Sequence, residues 1–263
     1  MSPRQQENLQ LPVGEGGFLQ GTLSHAGECG DRAVVYVHGL GSVRSGEKAQ
    51  ALEAACVRRG WTFAAFDFRG HGGSSGTMMD LRCATLLEDL EAASDYLAGR
   101  GVKQLLPVGS SMGGWATAWF ALRHPDRVPA CVLLAPSFDF PMGFWARLNE
   151  AQRLAWYQTG RLRLRNEWLD ATVSYGLIEE AGAFPLEALV TEWRTPLLVF
   201  HGMRDDVIPY ARSVTVAERM QYPGVEVRLL KDGDHRLTGF RDDLAEAACA
   251  FFERWGCQAT RGS

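Results

Sequence analysis

The chain has 263 residues, room for one large domain or two small ones with a sizeable core, and this excludes a peptide hormone. Apolar residues make up 46% and charged residues 22%, with 29 Gly and 11 Pro, which excludes disorder, collagen-like repeats and low complexity. Lys and Arg number 27 against 31 Asp and Glu, a net charge of −4, so the chain lacks the basic surplus that a nucleic acid partner would demand.

In chain order, residues 9–24 carry Phe18, Leu19 and Leu23 among glycines and predict leading antiparallel strands. Six short apolar runs follow, at 34–37, 63–66, 105–108, 132–134, 197–200 and 225–230, each of strand length. They lack polar alternation, as parallel strands buried on both faces do. Between them lie apolar residues at helical spacing: Ala49, Leu52, Ala55 and Cys56; Leu86, Leu90, Ala93 and Leu97; Ala116, Phe120 and Leu122; and finally Leu244, Ala248, Phe251, Phe252 and Trp255. Alternating strand and helix predicts an α/β fold, a mostly parallel central sheet with helices on both faces.

One interval breaks this rhythm. About sixty residues separate the strand ending near Ala135 from the next, too many for a simple crossover. The interval predicts a helix around 144–157, a basic stretch Arg161, Arg163 and Arg165 read as an exposed charged face, and a helix around 177–189. It is expected to be a helical cap, residues 137–191, inserted in a core of 1–136 and 192–263. Four of the eight tryptophans fall there (Trp145, Trp156, Trp168 and Trp193), either as packing for the cap or as substrate contacts.

No apolar run approaches the ~20 residues needed to span a bilayer, so no transmembrane segment is expected. The first ten residues are polar and mixed in charge, and the expected location is cytoplasmic. Six cysteines, at 29, 56, 83, 131, 249 and 257, form no C-x-x-C pair, so reduced, packed thiols are expected rather than a metal site or a redox dithiol. No cofactor is implied: the glycine-rich stretch 66–76 has neither a dinucleotide fingerprint nor a Walker Lys-Ser/Thr pair and reads as a shaping loop.

The chemistry concentrates at Gly109-Ser110-Ser111-Met112-Gly113-Gly114, between a predicted strand and a predicted helix. A nucleophile elbow sets a serine on a sharp strand-to-helix turn, and small residues two positions to either side let the backbones approach. Gly109 and Gly113 supply that spacing around Ser111, and the Met112 N–H at the helix start is placed as an oxyanion donor. Ser110 lacks this symmetry and is expected to pack or cap. A second donor is expected from Leu40 in His38-Gly39-Leu40-Gly41, with His38 structural.

A serine hydroxyl needs a base, and the base an orienting carboxylate. Of six histidines, His25 falls in an early loop, His38 and His201 precede Gly at strand ends, His71 lies in the glycine-rich loop and His124 precedes Pro. His235, after the last strand and before the final helix, can reach the carboxyl edge of the sheet. Asp205 and Asp206 compete for the acid; Asp205 is preferred, 94 residues after Ser111 and 30 before His235, with Asp206 as a loop-bonding residue and Asp139 as an outside candidate. Asp234 is too near in sequence to face the His235 ring. The order Ser, Asp, His is that of α/β-hydrolases.

Together these motifs resemble the α/β-hydrolase superfamily from about Val34 to Trp255. Gly46-Glu47-Lys48-Ala49, Phe66-Asp67-Phe68, the elbow with Trp115, His201-Gly202-Met203-Arg204-Asp205-Asp206 and Asp234-His235-Arg236 resemble the palmitoyl-protein thioesterase branch that includes a mitochondrial depalmitoylase. The resemblance implies Ser111 as nucleophile, Asp205 as acid, His235 as base, Leu40 and Met112 as oxyanion donors, and thioesterase or carboxylesterase activity. The expected partner is a small-molecule ester or acyl thioester, or an acylated protein. An aminopeptidase-like amide hydrolase or C–C bond hydrolase would use the same triad, and a non-catalytic binding protein on this scaffold is the rival from another class.

Overall fold

The computed structural model describes residues 4–26, 29–165 and 169–256. Two long strands, β1 (Arg4–Val13) and β2 (Gly17–Ala26), form an antiparallel hairpin, followed by β3 (Arg32–Val37), α1 (Glu47–Arg58) and β4 (Thr62–Phe66). Next come α2 (Cys83–Gly99), β5 (Gln104–Ser110), α3 (Met112–Arg123) and β6 (Cys131–Leu134). The long interval holds α4 (Met142–Arg147), α5 (Glu150–Thr159), β7 (Arg161–Arg165), β8 (Asp170–Ser174), α6 (Gly176–Glu179) and α7 (Leu186–Glu192). The chain then returns through β9 (Leu197–Gly202), α8 (Ala211–Arg219), β10 (Val225–Leu230) and α9 (Arg241–Gly256).

The main sheet has eight strands in the order β1-β2-β4-β3-β5-β6-β9-β10, antiparallel through β1, β2 and β4 and parallel from β4 onward. Its inner strands are apolar at both parities along most of their length because each face has its own core. Val34, Tyr36, Phe63, Ala65, Leu106, Val108, Val132 and Leu134 point to the face covered by α1 and α9. Their neighbours Ala33, Val35, Val37, Ala64, Phe66, Leu105, Cys131 and Leu133 point to the face covered by α2 and α3. Each large apolar side chain so buried gains about 1.5–3 kcal/mol, and a polar residue at either parity would forfeit that.

From β3 the chain turns outward through α1 to β4, and from β5 it turns the opposite way through α3 to β6. Neighbouring strands whose connections part in this way open a crevice outside their carboxyl ends. The turn at 38–41 and the elbow at Ser111 both lie there.

The long interval differs from expectation in three respects. The basic stretch is a strand, β7, paired antiparallel with β8, with Arg161, Arg163 and Arg165 exposed as expected and Leu162 and Leu164 turned inward, so the interval is not wholly helical. The single helix expected at 144–157 is two, because Asn149 starts α5 with its side chain accepting from the Gln152 N–H while Gln152 returns a bond to the Asn149 N–H. The helix expected at 177–189 is broken into α6, a short 3₁₀ turn and α7, with Pro185 before α7. Trp156 and Trp193 are buried packing residues, the latter donating to the Thr195 carbonyl, whereas Trp168 lies outside the described residues.

Other expectations resolve simply. His25 lies in β2, not in a loop, and bonds Glu7 of β1. Cys29, Cys56, Cys83, Cys131 and Cys249 are free thiols, all buried except Cys29, and Cys257 lies outside the described residues. Among the described residues, no helix is long and apolar enough to cross a membrane.

Candidate active site

Ser111 joins the end of β5 to the start of α3 with φ 53° and ψ −116°, a backbone conformation that costs a non-glycine residue of order 1–3 kcal/mol. The surroundings enforce it. The Ser111 N–H donates to the Leu134 carbonyl (3.0 Å), while its carbonyl accepts from the N–H groups of Gly114 (2.9 Å), Trp115 (3.2 Å) and Ser137 (3.1 Å). A Cβ on Gly113 would collide with the carbonyl oxygens of Val37 and His38, and one on Gly109 with the side chain of Thr117. Both glycines therefore serve close approach, which presses α3 against the end of β3 and lifts the serine above the sheet.

Its hydroxyl is met by the loop after β10. His235 Nε2 lies 3.0 Å from Ser111 Oγ, and His235 Nδ1 lies 2.7 Å from Asp205 Oδ2. The other oxygen, Asp205 Oδ1, accepts from the N–H groups of Val207 (2.8 Å) and Ile208 (2.7 Å). Burial opposes ionisation of this fully buried side chain, but hydrogen bonds from His201 and His235, the His235 charge and the Ile208 N–H outweigh it and hold the carboxyl well below the usual carboxylate range. A carboxylate so held obliges His235 Nδ1 to carry its proton, leaving Nε2 to accept from the serine.

The competitors are elsewhere. Asp206 is exposed, Asp139 pairs with Arg212, and Asp234 accepts from the Leu237 N–H within its own loop. Ser110 Oγ is bonded elsewhere, accepting from Lys48 Nζ at 2.8 Å, while Ser111 Oγ is the hydroxyl that meets His235. His38 is fully buried between the Gly39 carbonyl at Nδ1 (2.8 Å) and the Phe68 N–H at Nε2 (3.0 Å). Burial, aided by nearby His71, pushes its pKa down to about 4, so it stays neutral and braces its loop. The glycine-rich segment closes around Asp67, whose carboxylate accepts from the N–H groups of Arg44 and Gly73 and pairs with the Arg44 guanidinium.

The turn after β3 abuts the elbow. A Cβ on Gly39 would lie 3.1 Å from the Ser110 carbonyl oxygen and 3.2 Å from Ser111 Cβ, and the Ser42 N–H closes the turn onto the Gly39 carbonyl. Gly39 thus brings the turn that carries Leu40 against Ser111. Met112 follows Ser111 as the first residue of α3, where first-turn N–H groups have no partner inside a helix. Against this turn lies Leu169, from the long interval between β6 and β9, whose Cδ1 would be 2.8 Å from a Cβ on Gly41.

Two supporting residues carried no role in the sequence reading. His201 lies at the end of β9, its Nε2 between Asp205 Oδ2 (3.1 Å) and the Ile208 carbonyl (3.0 Å) and its Nδ1 2.8 Å from Ser213 Oγ. The acceptors around Nε2 make it the protonated nitrogen, so Ser213 donates to Nδ1. The signal was the position of His201 four residues before Asp205. Lys48, at the start of α1, belongs to the Gly46-Glu47-Lys48-Ala49 block that carries the family resemblance, but that block assigns it no role. Among the described residues, no group of His, Cys, Asp and Glu is arranged to hold a metal ion.

A switch-point crevice with a strained serine beneath a histidine and an aspartate is the architecture of a hydrolase, and the chain belongs to the α/β-hydrolase fold family, whose model matches residues 32–172. It is similar to the mitochondrial palmitoyl-protein thioesterase ABHD10 of Mus musculus, 30% identical over 214 residues that cover 78% of this chain and 69% of that one. The solved structure of α/β hydrolase domain-containing protein 10 from mouse superposes with a TM-score of 0.80 at 26% identity, over 94% of this chain and 98% of that one. A putative hydrolase from Agrobacterium vitis S4 shares the fold, with a TM-score of 0.82 at 23% identity over 95% and 99% of the two chains. The chain is thus an enzyme of the α/β-hydrolase type.

Proposed function

We propose that the protein is a serine hydrolase that cleaves carboxylic ester or acyl thioester bonds through a covalent acyl-enzyme. The observation that carries this reading is the continuous chain from Ser111 Oγ through both nitrogens of His235 to Asp205, with contacts of 3.0 and 2.7 Å. Ser111 Oγ attacks the acyl carbon as His235 Nε2 takes its proton. Asp205 offsets the imidazolium charge, and the N–H groups of Leu40 and Met112 stabilise the oxyanion. The same proton passes to the departing alcohol or thiol, and water, activated by His235, then releases the acid and restores Ser111.

Residues 137–191 act in this reading as a cap over the core of 1–136 and 192–263. The apolar contact of Leu169 with the turn beside Ser111 favours an apolar acyl group. The names of the mammalian relatives, as palmitoyl-protein thioesterases, point in the same direction.

A fluorophosphonate probe tests the chemistry: it labels the folded wild-type chain and fails to label Ser111→Ala. Equal labelling of both, or of neither, overturns the mechanism. A panel of p-nitrophenyl acyl esters, acyl thioesters and aminoacyl anilides separates ester from amide cleavage, and a preference for the anilides would select the peptidase alternative. The location is a separate question, since the sequence expectation is cytoplasmic and the mammalian relatives are named mitochondrial; fractionation of cells producing the full chain decides it.

A further inference from the structure

The loop bearing His235 is well tied to the strand bearing Asp205. Gly202 and Gly233 touch backbone to backbone, the Arg204 N–H donates to the Gly233 carbonyl (2.9 Å), and the Met203 N–H donates to the Leu230 carbonyl (2.8 Å). Acid and base are thereby fixed to each other. Serine and base stand on separate elements, β5 with α3 for one and the loop after β10 for the other, and their contact is only as good as the spacing of those elements.

Lys48 spans that gap. Its half-buried ammonium donates to Ser110 Oγ (2.8 Å), one residue before the nucleophile, and to the Arg236 carbonyl (2.8 Å), one residue after the base. These bonds join residues 62 and 188 positions away along the chain. We propose that Lys48 is a positioning residue that sets the separation of Ser111 and His235 by clamping their adjoining residues. The assignment rests on the serine hydrolase reading.

The surroundings suit a clamp. Burial, reinforced by the Arg236 charge and opposed by Asp234, pushes the Lys48 pKa down to about 8, so the amine is a poorly hydrated donor that gains from its protein acceptors. It remains mostly protonated at neutral pH. The hydrogen bonds of the Lys48 ammonium go to Ser110 and Arg236 rather than to Ser111 or His235, so it acts on them through their chain neighbours. Displacing a reacting group by about 1 Å can cost on the order of 100-fold in rate.

The test compares wild type, Lys48→Met, Ser110→Ala and the double variant, with kcat and KM on a p-nitrophenyl acyl ester expressed per serine titrated by fluorophosphonate. A purely structural role would lower the titratable fraction and leave kcat per titrated serine unchanged. The clamp predicts that Lys48→Met loses about 10- to 100-fold in kcat per titrated serine with KM within about twofold. Ser110→Ala should lose less, and the double variant should be no worse than Lys48→Met, because both remove one linkage. Lys103→Met, at the opposite edge of the sheet before β5, should match wild type. Unchanged kcat per site in Lys48→Met overturns the assignment, as do additive losses in the double variant. If Lys48→Met does not fold, an unchanged kcat in Ser110→Ala overturns it. A wild-type chain that neither labels nor turns over ester overturns the hydrolase reading and the clamp with it, whereas an active wild type and an equally active Lys48→Met overturn the clamp alone.

Discussion

His201 and His235 share one oxygen of Asp205: Nε2 of the first lies 3.1 Å and Nδ1 of the second 2.7 Å from Oδ2. Asp205 is thus held from both sides, with His201 as the buried support from within β9 and His235 as the less buried partner. Replacing His201 by Phe leaves the Ile208 carbonyl and the Ser213 hydroxyl without their buried partner and loosens the carboxylate. The expected loss is about 1–3 kcal/mol of stability per stranded group, read by chemical denaturation, with kcat per titrated serine down about 10-fold. A variant as stable and active as wild type would show that the Oδ1 contacts suffice.

Asp205 also sets a pH dependence. Its folded-state pKa lies below the ordinary 3.8, so the ionised carboxylate stabilises the fold. That contribution is complete above the unfolded-state value near 4 and drains away as the pH falls below it. The stability difference between wild type and Asp205→Asn, measured as urea midpoints from pH 7 to pH 2, is expected to be flat above about pH 5 and to shrink below about pH 4. Parallel curves would contradict the assignment. At pH 7 the same variant should lose about 10³–10⁴-fold in kcat, because Asn can hold His235 in the wrong tautomer.

The elbow glycine is replaceable by nothing larger. Gly113→Ala drives a methyl group into the carbonyl oxygens of Val37 and His38, backbone atoms at and just beyond the end of β3 that cannot step aside. It should cost about 1–3 kcal/mol or more and abolish labelling of Ser111. Gly182→Ala, where an added Cβ meets nothing within 4 Å, should stay within about 0.5 kcal/mol of wild type. Comparable denaturation midpoints for the two would refute the close-approach argument.

Leu169 reaches from the insertion to Gly41, beside the turn that carries Leu40. Leu169→Ala enlarges the apolar space there, and the ratio of kcat/KM for octanoyl over acetyl p-nitrophenyl ester should change by about 10-fold, the worth of one or two methylene contacts. Leu169→Trp should shift the ratio the other way. A ratio unmoved by both would remove Leu169 from the acyl site.

Much of this molecule was legible because its signals are local. Strand parity, helical spacing and the glycines around Ser111 depend on neighbours within a few residues, where steric and solvation rules act directly on the sequence. The insertion was read less well. Arg161-Leu162-Arg163-Leu164-Arg165 has the exposed arginines its charge implies, but the strict alternation with leucine is also the mark of a half-exposed strand, which charge alone does not reveal.

The sequence by itself determined the α/β alternation, the elbow, and a short choice of acids and bases, since each follows from backbone sterics or from the chemistry a serine requires. Only the tertiary structure decided that Asp205 and not Asp206 faces His235, that His201 supports it, and that Lys48 lies between Ser110 and Arg236. Those are contacts between distant positions, fixed by how β3, β5, β9 and β10 order themselves in one sheet and by which loops that order brings to its carboxyl edge.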